Sequence, residues 1–362
     1  MIGALLIGAG TVVEALHCAP LRRLEKANAL RVAGVVDPNE PRARQIAGQF
    51  RGARSYPDCD AAFESGSYEL AIIASPPGLH ADHACLALEQ GCHVLCEKPM
   101  TITSFDADRM NVAARRAGRV LGVAFTRRFF ANFADVASLI ANGELGDDLR
   151  FTYRDGDTYS WAAATGAAFE RERSGGGALL DKGVHMLDQL SWIFGEALLE
   201  QSFDDSLVGG VETNSLLELA FPRARGTMQV SWEYPLNNGL RIWGNSGEVL
   251  LDGNDIRTYR RRRKAGWVRV PAESTWPADM VPSGGKRVRP GNYFACFDLQ
   301  LIAMLRCIAY GEPFPVTGIE AARLQSTIDQ AYASAQPLAC PWLSEREQRA
   351  VRVMHWKATR SG

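Results

Sequence analysis

Ala4-Leu5-Leu6-Ile7-Gly8-Ala9-Gly10-Thr11-Val12-Val13 decides the fold. Four apolar residues make a strand, two glycines make a turn, and a helical pattern through Leu16, Leu21 and Leu24 follows. Strand, glycine turn and helix come in the order that binds a dinucleotide. Gly8 permits the tight turn and Gly10 lets a pyrophosphate approach the backbone, while the helix N-terminus offers unpaired N–H groups and a favourable dipole. Thr11, Val12 and Val13 complete the candidate cofactor contacts of this turn. Val13 stands where a third glycine would allow close packing, so the sequence predicts a wider fit between helix and strand there.

The next strands support this unit. Residues 31–37 form a second apolar run ending in Asp37, at the distance expected of a carboxylate that binds the adenosine ribose. Asp37 favours NAD and leaves NADP open; it is also an N-cap candidate for a helix over 40–50. A third strand, 69–74, leads into Ser75-Pro76-Pro77-Gly78-Leu79-His80 and a helix bearing Ala84, Leu86 and Leu88. Alternating strands and helices predict a parallel sheet. His80 is either a surface residue or a cofactor contact. The strand 91–96 ends in Glu97-Lys98-Pro99, which puts a carboxylate and an amine beyond a strand end, where open α/β sheets bind ligands. The alternative is a pair of solvated charges.

A second motif, Ser174-Gly175-Gly176-Gly177-Ala178-Leu179-Leu180-Asp181-Lys182-Gly183-Val184-His185-Met186-Leu187-Asp188, predicts a helix. Asp181, His185 and Asp188 fall at i, i+4 and i+7, on one face beside an apolar stripe of Leu180, Val184 and Leu187. A histidine oriented by a carboxylate suits proton transfer near neutrality. The same trio has two other readings, a metal site and a buried structural histidine. No further His or Cys lies at ligand spacing, and no metal is expected.

Together these motifs resemble the glucose-fructose oxidoreductase and inositol dehydrogenase (Gfo/Idh/MocA) family. The resemblance spans the Gly8–Gly10 turn, Ser75-Pro76-Pro77 with His80, Glu97-Lys98-Pro99, Phe125-Thr126-Arg127-Arg128-Phe129 and the Gly175 to Asp188 segment. It implies that Lys98 contacts substrate and nicotinamide ribose and that Asp181 and His185 belong to the substrate pocket. Ser75, Pro76, His80, Glu97 and Arg128 are then cofactor-binding candidates. Two departures are Val13, in place of a small residue, and Lys182, a second amine beside the pocket helix. Tyr159 and Trp161, ahead of that helix, are candidates for stacking on a sugar or for packing on the sheet.

The 362 residues suit two domains, 46% hydrophobic residues suit a full core, and a net charge of −1 argues against nucleic-acid and membrane-surface partners. The fold expected is α/β: an N-terminal Rossmann domain with a parallel sheet over 1–124, ended by a strand at 120–125, and a C-terminal α+β domain with a large, mostly antiparallel sheet over 125–362. Strands are predicted at 150–154, 198–203, 214–221, 226–232, 240–244 and 248–252. The run Arg260 to Lys264 reads as a solvated hairpin or loop, 271–290 as a loop, and 294–310 and 318–335 as helices. Eight cysteines, several in apolar runs such as Cys85, Cys92 and Cys96, suit a reducing compartment. No segment reads as membrane-spanning and the first strand leaves no room for a signal peptide, so the cytoplasm is expected.

These features predict an NAD(P)-dependent oxidoreductase acting on a sugar, polyol or derivative. His185 takes the hydroxyl proton, Asp181 orients it, and Lys98 stabilises the alkoxide, with Lys98 and His185 meeting across the domain cleft. Rival readings are a lyase or glycosidase that uses a retained NAD transiently and a non-catalytic sensor of sugar or NAD. A sheet apolar in places on both faces predicts a homodimer or homotetramer.

Overall fold

The computed structural model describes residues 1–160, 166–206, 210–252, 255, 258–272, 293–338, 344–347, 349, 350 and 353. The described residues form two compact units, 1–130 with 293–322, and 131–272 with those from 323 onward.

In the first unit, β1 (Ile2–Ile7) is followed by α1 (Cys18–Lys26), β2 (Leu30–Val36), α2 (Glu40–Ala47), β3 (Arg54–Tyr56) and α3 (Cys59–Ser65). Then come β4 (Leu70–Ile73), α4 (His80–Glu89), β5 (His93–Cys96), α5 (Ser104–Ala117) and β6 (Leu121–Val123), which is shorter than the strand expected at 120–125. The six strands pair in parallel in the order β3-β2-β1-β4-β5-β6. Ala4 to Ile7, Leu70 to Ile73 and Val94 to Cys96 are buried throughout, as strands covered on both faces must be. Strand order reverses between β1 and β4, the switch point where such sheets bind ligands.

The second unit begins with α6 (Ala131–Ala141), β7 (Leu149–Gly156), the single turn α7 (Arg171–Ser174), α8 (Val184–Phe194) and β8 (Leu198–Asp204). It continues through β9 (Asn214–Phe221), β10 (Ala224–Ser231), β11 (Gly239–Trp243), β12 (Glu248–Asp252), β13 (Thr258–Arg263) and β14 (Gly266–Pro271). After α9 (Tyr293–Tyr310) and α10 (Gly318–Ser334), β15 (Gln336–Pro337) completes a nine-stranded sheet in the order β14-β13-β12-β11-β7-β10-β9-β8-β15. All pairs are antiparallel except β7 with β10 and β8 with β15. All six expected strands are present.

The basic run is the first strand of a hairpin that turns at Lys264 and Ala265. Arg261 reaches Glu144 at 2.7 Å and Arg262 reaches Glu248 at 3.3 Å, which lets arginines occupy a strand. One sheet face buries Phe151, Leu217, Met228, Val230, Ile242 and Val249. The other carries Arg150, Arg154, Arg225, Arg241, Arg260 and Arg262, all exposed. That face is apolar in places, as expected, with Leu216, Trp243 and Leu250 among the arginines, and it is also strongly charged.

Three further expectations change. The first concerns the domains: the chain returns to the first unit with α9 rather than staying in the second after residue 124. Arg23 holds α9 there, donating to Asp298 from Nε and Nη2 at 2.7 Å each. Second, α9 is long and apolar enough to cross a membrane, although 61% of it is buried within the fold, as a core helix covered on several sides would be. Third, Cys85 is half-buried, while the other six described cysteines are buried; all seven are free. Most of the loop expected at 271–290 lies outside the described residues.

Candidate active site

Gly8 has φ +100°, and a Cβ on it would lie 2.5 Å from Ala74 O and 2.7 Å from Ser75 N. Only glycine lets β1 and β4 end this close together. A Cβ on Gly10 would meet nothing within 4 Å. The protein's own packing therefore does not demand that glycine, and the open backbone fits a pyrophosphate. Asp37 Oδ2 accepts the Ala9 N–H at 2.8 Å and Oδ1 accepts the Asn39 N–H at 2.8 Å. The helix cap foreseen for Asp37 belongs to Asn39, whose side chain accepts the Arg42 N–H. Arg42 in turn donates to Ala9 O at 2.7 Å and to Glu14 at 2.6 Å, which puts a cation beside the turn.

Val13 is buried and opens a π turn, Val13–His17, ahead of α1. Pro20 in the first turn of α1 has no N–H to give the Leu16 carbonyl, and the helix widens just before it. The wider turn brings in a residue the sequence reading passed over. His17 is fully buried, and its Nε2 lies 2.6 Å from Glu97 Oε1. Glu97 Oε2 accepts the Lys98 N–H at 3.1 Å. Burial pushes the Glu97 carboxyl up, yet the hydrogen bond and charge of His17, with Lys98 alongside, hold it below its ordinary value. An ionised carboxylate thus underlies the backbone of half-buried Lys98. The only sequence sign of this pair was a histidine in the apolar run Leu16-His17-Cys18-Ala19.

His80 is 1% exposed, and its ring nitrogens face Pro99 O at 3.0 Å and Ser75 O at 2.7 Å. It is neither a surface residue nor an open contact, for its ring joins the Ser75 loop to the cis Lys98–Pro99 turn. Ser75 Oγ meets His83 Nδ1 at 2.9 Å, and Pro76 is exposed. Arg128 is buried 3.7 Å from Glu320.

In the second unit the expected helix begins as another π turn, Leu179–Gly183, before α8. Single π turns recur at functional sites. This one breaks the i, i+4, i+7 face assumed for an α-helix, because a π turn advances less per residue. Asp181 is half-buried at the open end, His185 is buried, and Asp188 is fully buried. Asp188 therefore sits within the core. Lys182 turns toward Asp157 at 3.3 Å and Asp155 at 3.8 Å. Tyr159 packs its ring on Trp232 and Phe169, with centroids 4.9 and 5.3 Å away. Trp161 lies outside the described residues. No cluster of metal-binding side chains occurs among the described residues.

A parallel sheet with an open glycine turn at its switch point and a lysine beyond β5 defines a dinucleotide-binding oxidoreductase fold. Residues 2–125 match a family model described as "Oxidoreductase family, NAD-binding Rossmann fold", and 133–250 match the "GFO/IDH/MocA C-terminal domain". The chain belongs to the GFO/IDH/MocA family. It is 32% identical over 193 residues to a D-glucoside 3-dehydrogenase of Escherichia coli, covering 52% of this chain and 53% of that protein. It is 25% identical over 259 residues to a myo-inositol 2-dehydrogenase of Thermotoga maritima, covering 68% and 74%. The chain spans about half the length of the first of these relatives. A levoglucosan dehydrogenase solved with NADH and levoglucosan shares the fold, with a TM-score of 0.76 at 20% identity over 92% of this chain and 97% of that one.

Proposed function

We propose that this protein is an NAD-dependent dehydrogenase or reductase that moves a hydride between the cofactor and a hydroxyl or keto carbon of a sugar, polyol or sugar derivative. The observation that carries this reading is the switch point, where Gly8 packs on Ala74, Gly10 leaves the turn open and Asp37 is tied to that turn through Ala9. Those residues would hold the dinucleotide, with Asp37 toward the adenosine ribose, and NAD would supply the hydride acceptor. Lys98, set on the ionised Glu97, stabilises the developing alkoxide. His185 accepts the hydroxyl proton with Asp181 orienting it, so the chain supplies alignment and a matched base.

The relatives named above are dehydrogenases of a glucoside and an inositol, which supports the substrate class. The free cysteines among the described residues, six of seven buried, support a reducing cytoplasm. Screening sugars, polyols and sugar nucleotides with NAD and NADP, followed at the nicotinamide absorbance, tests the reading. Turnover that Lys98→Ala lowers by about 10²–10⁴-fold is expected. No cofactor binding and no turnover with any of them would sink the proposal.

A further inference from the structure

Three consecutive N–H groups at the start of the Asp181 helix all end on one residue. Gly177 N donates to both carboxylate oxygens of Glu212 at 3.0 Å, Leu179 N donates to Oε1 at 2.9 Å, and Ala178 N donates to the Glu212 main-chain carbonyl at 3.0 Å. The Tyr332 hydroxyl donates to the same Oε1 at 2.9 Å. A Cβ on Gly177 would fall 1.9 Å from Glu212 O, and one on Gly176 would fall 1.9 Å from Tyr332 Oη. Gly176 and Gly177 therefore make room for these two residues.

We propose that Glu212 is a positioning residue: it clamps the first turn of this helix, so fixing where Asp181 and His185 stand, and its ionisation sets how firmly the turn is held. The proposal rests on the roles given above to Asp181 and His185. A helix leaves its first N–H groups without partners, and one ionised carboxylate here satisfies two of them while opposing the positive end of the dipole. Glu212 is fully buried, and burial pushes its carboxyl up to about 7 even though the hydrogen bonds from Leu179, Tyr332 and Gly177 favour the ionised form.

The groups around it are Tyr332 from α10, Arg171 of α7 at 4.5 Å over the Tyr332 ring, and Asp204 at the end of β8. Burial and Glu212 itself push the Tyr332 hydroxyl further up, so it stays protonated and keeps donating. A proton arriving on Glu212 goes to Oε2, which accepts one hydrogen bond where Oε1 accepts three. The Oε1 contacts then lose charge assistance, which about halves their strength, and the dipole loses its anion.

Amide hydrogen exchange on the intact protein, read as protection factors from pH 5.5 to 8.5, tests this without cofactor or substrate. Protection at Gly177 and Leu179 against local openings that leave the Glu212 carboxyl buried should fall about tenfold as pH drops through 7, the size expected when charged hydrogen bonds and a dipole contact weaken, whereas whole-chain unfolding, which frees that carboxyl to water, follows the opposite trend. Glu212→Gln should abolish that dependence. In turnover, Glu212→Gln should lower kcat about tenfold, leave the KM for NAD unchanged and shift the acid limb of the pH profile, because the effect passes through His185. If Glu212→Gln fails to fold, Tyr332→Phe carries the test: it removes a hydrogen bond that favours ionisation, so the exchange transition should move to higher pH. Flat protection in the unmutated protein overturns the clamp, as does an unmoved transition in Tyr332→Phe. An unchanged kcat and pH profile in Glu212→Gln overturns the positioning role. A pH-dependent clamp in a protein that turns over no sugar or polyol would overturn the proposed function and leave the clamp standing.

Discussion

The two units bury glutamates that are shifted in opposite directions, Glu97 in the first beside Lys98 and Glu212 in the second at the start of the helix that carries Asp181 and His185. Glu97 has an imidazole 2.6 Å away and is held below its ordinary value, whereas Glu212 meets backbone N–H groups and a phenol and is pushed up to about 7. A partner that can carry a full positive charge outweighs the cost of burial. Dipoles alone do not, even when several converge. Glu97 is thereby a fixed anion next to Lys98, and Glu212 a titrating one at the first turn of the His185 helix.

The largest effects should come from removing the groups these glutamates serve. His185→Ala and Lys98→Ala should each lower turnover by about 10²–10⁴-fold, as loss of a proton-transfer residue does. His185→Ala should leave NAD affinity nearly unchanged, and the acid limb of the parent's oxidation profile should vanish or move in it. Near-normal turnover with an unchanged profile would move the base to Asp181 or Lys98.

Next in size is His17→Leu, which strands Glu97 as a buried charge and should cost roughly 3–5 kcal/mol in urea unfolding at neutral pH. The loss should shrink in acid, where Glu97 takes a proton. A variant as stable as the parent at pH 7 would show that His17 is not the partner that keeps Glu97 ionised.

Glu212→Gln tests the opposite sign. A carboxyl whose folded value is raised contributes stability below its ordinary value of 4.5 and loses it as pH rises through about 7. Stability of the parent minus that of the variant should therefore fall between pH 4.5 and 7, by up to roughly 3 kcal/mol. Glu97, lowered instead, contributes stability that appears as pH rises and is lost as pH falls through its folded value. A difference between parent and variant that rises over that window would refute the assignment.

Smaller effects are expected away from the two glutamates. Asp37→Ser should narrow the preference for NAD over NADP by about tenfold, or 1.4 kcal/mol, with Arg42 available to the extra phosphate. A parent that binds NADP more tightly would contradict the role given to Asp37. Self-association through the arginine-bearing sheet face should weaken as salt shortens the Debye length. Light scattering unchanged between low and high salt would place any assembly on another surface.

The fold was largely legible because a buried parallel strand is a continuous apolar run and a half-buried strand alternates, and both patterns are local. Leu5 to Ile7 and Met228 with Val230 show the two kinds. The candidate reacting groups Lys98, Asp181 and His185 were singled out for the same reason, since each sits in a compact motif. Their supports were not. His17 meets Glu97 from 80 positions away, and Tyr332 meets Glu212 from 120 away, so no spacing rule connects them. Both π turns escaped as well, because a 3.6-residue period assumes the regular helix from which they depart.

The return of α9 to the first unit governs how that unit is made. Arg23 and Asp298 are 275 residues apart, and the His17 ring waits for Phe297, whose ring stands 5.7 Å away at 83°. During synthesis the nucleotide half emerges first but lacks α9 until more than four-fifths of the chain has been translated. Its pairings of high sequence separation belong among the slow steps of folding, and the apolar surface awaiting α9 stays open to off-pathway association meanwhile. A fragment cut at residue 130 would carry every cofactor motif and remain an unfinished fold.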